Sequence, residues 1–80
     1  MLNARVGSNV ATQSYFIPED YTIRQAFEEA GVDYTGKTII LDGGPVSPGV
    51  INQTFRELGY DGTPGKDKCF LSAIAKVDNA

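Results

Sequence analysis

Cys69 has the most reactive side chain in the sequence, and there is no histidine to activate it. The 80 residues contain no histidine and one cysteine. A Ser-His-Asp triad and a Cys-His pair are therefore excluded, as is an imidazole metal site. A single cysteine also excludes an internal disulfide, a zinc cluster and an iron–sulfur cluster. Cys69 lies in an apolar run and reads as a small buried hydrophobe in a reducing compartment. Ser8, Ser14, Ser47 and Ser72 have only lysine as a base, and no spacing positions a Ser-Lys dyad.

The carboxylates are equally dispersed. Glu19-Asp20 precede a helix, where negative charge favours the helix dipole. Glu28 and Glu29 are adjacent on that helix and diverge by about 100°, so they cannot clasp one ion. Asp61 and Asp67 are too sparse for a calcium loop. Asp42-Gly43-Gly44-Pro45 opens no helix and lacks Lys-Ser/Thr, so it is a tight turn and not a phosphate loop. No catalytic, cofactor-binding or metal-ligating residue is expected. The chain reads as a non-enzyme that works without a cofactor.

Charge and length narrow the partners. Seven basic and ten acidic residues give a net charge of -3, which disfavours nucleic acid. The local cluster Lys66, Lys68 and Lys76 is the remaining nucleic-acid route. Met1 to Gly7 has no signal-peptide layout, and no apolar run approaches the roughly 20 residues that cross a bilayer. The expectation is a cytoplasmic protein without a membrane partner. Eighty residues make one domain over 1–80, with a small core.

The elements follow from periodicity. Leu2, Ala4 and Val6 alternate with Asn3 and Arg5, and Gly7-Ser8-Asn9 is a turn signal. Thr12 to Ile17, rich in β-branched and aromatic residues, pairs back as a hairpin. Thr22-Ile23-Arg24-Gln25 has the form of a capping box. Ile23, Ala26, Phe27 and Ala30 then make one apolar stripe, and Gly31 stops the helix. Lys37 to Leu41 is a strand, and Val46 restarts a brief extended piece. Val50 or Ile51, Thr54, Phe55 and Leu58 have helical spacing ended by Gly59, which predicts a second short helix or 3₁₀ segment. Residues 61–68 read as a mobile loop and 78–80 as a tail. Cys69 to Val77, apolar on both parities, reads as a central strand. The expectation is an α+β fold, a mixed four- to five-stranded sheet on one main helix.

That order resembles the ubiquitin-like β-grasp fold over nearly the whole chain. The likeness rests on the N-terminal hairpin, on Thr22-Ile23-Arg24-Gln25-Ala26-Phe27-Glu28-Glu29-Ala30-Gly31, on Ile39-Ile40-Leu41-Asp42-Gly43 and on Cys69-Phe70-Leu71-Ser72-Ala73-Ile74. The helix-then-strand middle is similar to small bacterial sulfur carriers. The resemblance implies a terminal Gly-Gly for carriers and modifiers, but this chain ends Asp78-Asn79-Ala80. Its Gly43-Gly44 is internal, and cleavage there would remove the predicted central strand. A carrier or modifier role is therefore the alternative. A non-catalytic protein-interaction module is the first expectation.

Two surfaces suit such a module. If Cys69, Leu71 and Ala73 face the helix, then Phe70, Ser72, Ile74 and Lys76 face the open side of the sheet, beside Arg5. An apolar pair rimmed by cations is a protein-binding patch. The competing assignments are the opposite parity, with Phe70 and Ile74 in the core, and cover of both faces by nearby loops. The second surface is the strand carrying Tyr15 and Phe16, which has no charge to guard an edge. It suits peptide capture or an edge-mediated homodimer.

Overall fold

The structure is a computed structural model that describes residues 1–8 and 11–75. It contains β1 (Leu2–Ser8), β2 (Thr12–Ile17), α1 (Ile23–Ala30), β3 (Lys37–Leu41), β4 (Gly44–Val46), a 3₁₀ segment (Pro48–Asn52) and β5 (Lys68–Ala75). The fold is α+β, with one five-stranded mixed sheet in the order β2-β1-β5-β3-β4. The central pair, β1 and β5, is parallel. The other neighbours are antiparallel.

The helix forms where its signals predict. The Thr22 hydroxyl accepts from the Gln25 amide at 3.2 Å, and the Gln25 side chain accepts from the Thr22 amide at 2.8 Å. Two backbone donors that the helix leaves unpaired are thereby satisfied. Gly31 ends the helix in the left-handed region at φ 69°. Ile23, Ala26 and Phe27 are buried and pack with Leu2, Val6, Ile39, Leu71 and Ala73 in one core. This face of the sheet is closed by α1 together with the 3₁₀ segment and the turn after it, whose Val50 and Phe55 are buried in the same core.

The turn between β3 and β4 is set by its residue types. Asp42 has φ 51° and Gly43 φ 84°, between the paired residues Leu41 and Gly44. Positive φ at both central positions is the two-residue hairpin turn that Asp-Gly favours. The internal Gly43-Gly44 is thus a turn entering a strand.

Three expectations need correction. β1 runs on through Gly7 and Ser8, because the backbone there continues its pairing with Thr12 and with Ser72 and Ala73 of β5. Gly7 is required at that place: a Cβ would lie 2.1 Å from the Ala11 carbonyl oxygen. The spacing from Val50 to Leu58 is not one helix. The 3₁₀ segment starts earlier, at Pro48, with the Ser47 side chain as its cap. The chain then turns extended at Gln53, and Thr54 bridges Thr22. A single turn from Thr54 to Gly59 follows. Tertiary demand overrides local spacing here: Phe55 is fully buried, and its amide is bonded to the Tyr21 carbonyl at 3.0 Å. Finally, Glu19 and Asp20 are not reserved for the helix dipole. Asp20 accepts from Arg56 at 3.0 Å, and Glu19 binds both Arg56 and the Met1 ammonium.

The 61–68 stretch carries its own bonds. The Thr63 amide donates to the Asp61 carboxylate at 3.1 Å, and the Gly62 amide to the Lys66 carbonyl at 3.1 Å. The tail 78–80 and the last two residues of the predicted strand, Lys76 and Val77, lie outside the described residues.

Candidate functional site

The register across β1, β5 and β3 decides which side chains share the open face. Residues directly paired in a ladder project to the same side. Arg5 pairs with Phe70, Ser72 with Ile40, and Ile74 with Thr38. Ile40 in turn pairs with Pro45. Leu71 and Ala73, at the other parity, are fully buried in the core. Phe70 is 42% exposed, and Ile74 and Ile40 are half-buried. The assignment of Phe70 and Ile74 to the core is therefore overturned.

Not every candidate residue contributes surface. Ser72 lies at the centre of the open face but is only 6% exposed. It sits between Phe70 and Ile74 along β5, with Ile40 beside it and the side-chain-free Gly7 on its other flank. Arg5 is exposed, but its guanidinium is held over β2. Nε donates to the Thr12 hydroxyl at 2.9 Å and Nη1 to the Ser14 hydroxyl at 3.4 Å. Lys76 lies outside the described residues. Lys68 is exposed at the start of β5, in register with Asn3.

Sequence reasoning missed the residues that hold Phe70 in place. Asp42, in the β3–β4 turn, accepts from the Phe70 amide at 2.8 Å, and its own amide donates to the Phe70 carbonyl at 2.8 Å. The Tyr60 hydroxyl donates to the other Asp42 oxygen. Burial and that bond raise the Tyr60 hydroxyl well above its ordinary range, so it remains a donor. Ile40 and Pro45 also went unnoticed, because a shared face across three strands is set by register.

Among the described residues, little else resembles a chemical site. Cys69 is buried, and burial, helped by the nearby negative charge of Asp42, pushes its thiol up to about 12. A thiol so raised is a poor nucleophile at neutral pH. Among the described residues, no group of three His, Cys, Asp or Glu side chains could hold a metal ion. A groove of about 220 Å³ lies between the loop after α1, β3 and the 3₁₀ segment, lined by Tyr34, Lys37, Ile39 and Ile51. No described helix is long and apolar enough to cross a membrane.

The edge candidates divide. Tyr15 turns toward the core side and packs against it, while its hydroxyl donates to the Gln13 side chain at 3.2 Å. Phe16 points the other way and is 73% exposed. No protein-family model, no curated protein and no solved structure matches the chain.

Proposed function

We propose that the chain is a non-catalytic, ubiquitin-like β-grasp module that docks a protein partner on its open sheet face. The strand order β2-β1-β5-β3-β4, with a parallel central pair and one helix between β2 and β3, supports the β-grasp reading. The docking reading is carried by one observation. Phe70 stands 42% exposed, and Ile40, Ile74 and Pro45 lie on the same side of the sheet, opposite the core. Clustered apolar side chains on a small monomer mark interaction surfaces. Arg5 and Lys68 on the same side suit a partner with an apolar anchor and an acidic rim.

The test is affinity capture with the tagged chain from its native lysate, repeated with Phe70→Asp and Ile74→Asp. Both variants should keep their circular dichroism and lose the captured partner. A partner that stays bound to both folded variants refutes the open-face reading. One that survives denaturing washes points instead to covalent attachment, the modifier alternative.

A further inference from the structure

We propose that the outer edge of β2 is a homodimer interface, in which two copies pair β2 antiparallel about a two-fold axis at Ser14. The two sheets would join into one. This inference is independent of what the open face binds.

The hydrogen-bond phase of the hairpin defines the edge. The Ser8 amide donates to the Ala11 carbonyl at 3.0 Å, so Ser8 and Ala11 are a hydrogen-bonded pair. Bonded and non-bonded pairs alternate along an antiparallel ladder. With the observed register, Gln13, Tyr15 and Ile17 turn their backbone groups toward Val6, Ala4 and Leu2. The amides and carbonyls of Thr12, Ser14 and Phe16 therefore point outward. The phase agrees with the other side of β1, where the Asn3 amide points to β5 and donates to the Asp67 carbonyl at 2.8 Å. β2 has no neighbour beyond it in the sheet.

The outward set is self-complementary. With Ser14 facing Ser14 of the second copy, Thr12 faces Phe16 of that copy, and Phe16 faces its Thr12. All three pairings are of the bonded kind, so each outward amide finds a carbonyl. On the core side of the sheet, Gln13 comes opposite Tyr15 of the second copy. No residue of Thr12–Ile17 is itself charged. The two Arg5 guanidinium groups, each held by its own Thr12 and Ser14 hydroxyls, approach each other across the axis, a cost that the contact of each with Phe16 of the other copy must outweigh.

Two further observations select a second copy. The first is Arg5. Its guanidinium is fixed beside Thr12 and Ser14, where the exposed Phe16 ring of the second copy would arrive. The ring would then lie against a cation already held in place. The second is the opposite edge of the sheet. β4 is three residues long with Pro45 at its centre, and proline lacks the amide that a further strand needs. Pairing of β2 with β4 of another copy, which would propagate into a fibre, is blocked. Pairing of β2 with itself closes after two copies.

Sedimentation tests the assembly. The average mass of the purified chain should rise from 8.6 kDa toward twice that value between about 10 µM and about 1 mM, as a small interface would give. Phe16→Lys places a charge on the edge without touching the core. It should stay monomeric across that range with an unchanged circular dichroism spectrum. Arg5→Gln should shift the association to higher concentration.

Crosslinking tests the register. Facing residues have Cα atoms about 5.5 Å apart, within disulfide reach, whereas the two Thr12 residues would be about 14 Å apart. Under oxidation Ser14→Cys should give a disulfide dimer and Thr12→Cys should not. A chain monomeric at every concentration overturns the proposal, and is what an edge kept for another protein's peptide would give. A dimer that survives Phe16→Lys, or one that crosslinks through Thr12→Cys but not Ser14→Cys, also overturns it.

Discussion

Leu71 and Phe70 are neighbours in β5 and live in different solvents. Leu71 has no exposed surface and belongs to the core, whereas Phe70 is 42% exposed on the far side of the same strand. The contrast extends along the strand. Cys69 and Ala73 are buried with Leu71, while Ile74 is half-buried on the side of Phe70. A strand at the edge of a sheet would show the same alternation, but β5 is central, with β1 and β3 on its flanks. Backbone pairing is therefore satisfied on both sides. The exposed aromatic is not a fraying residue. It is locked by Asp42, which binds the Phe70 amide. One face holds the molecule together, and the other presents apolar groups on a rigid platform.

The sharpest way to break this comparison is to truncate both neighbours. Leu71→Ala should cost about 3 kcal/mol of unfolding free energy, through lost burial and the cavity left behind. Phe70→Ala should cost less, about 1 kcal/mol, because its ring is only partly covered. Urea denaturation of the two variants measures both. Equal losses would mean that the two faces are equally buried.

The dryness of the covered face can be read by titration. Cys69 is held protonated in the folded chain up to about pH 12, whereas an exposed thiol ionises near 8.5. Between those values the unfolded chain has lost a proton that the folded chain retains, so stability falls as pH rises. The slope from this group approaches about 1.4 kcal/mol per pH unit. Cys69→Ala should flatten that alkaline decline in thermal melts. An unchanged decline would mean that the thiol is wet.

A comparably small effect concerns the cover itself. Thr22→Ala removes the hydroxyl that caps α1 and should cost about 1 kcal/mol, seen as a lower urea midpoint. The exposure of Phe70 should not change, because it depends on the β5 register and on Asp42. Hydrogen exchange at the Phe70 amide would check this.

Legibility in the sequence followed the range of the determining interactions. The helix was readable because Thr22, Gln25 and Gly31 act within a few residues of one another. So was the β3–β4 turn, since Asp42 and Gly43 need only their own backbone angles. The parity of β5 was open because both parities are apolar, and Phe70 and Leu71 differ only in what the rest of the chain brings to them. The 53–59 segment misled for the same reason. Its helical spacing is real, but the Thr22–Thr54 bridge and the burial of Phe55 decide its path. Composition alone groups Tyr15 with Phe16 as edge surface, although adjacent residues of a strand must face opposite ways. Asp42 gave no local sign of holding Phe70, a residue far along the chain.

The parallel pairing of β1 with β5 has a consequence for how the molecule comes into being. It joins Asn3 to Lys68 and Ser8 to Ala73, so the middle of the sheet is made from segments at opposite ends of the described chain. During synthesis the β1–β2 hairpin and α1 are complete well before β5, and until then β1 has an open side and the core lacks Leu71. Contacts this distant in sequence slow folding, because loop closure precedes any reward from pairing. The nascent chain therefore waits with an unfinished sheet, and its commitment to the native state comes only with the last strand.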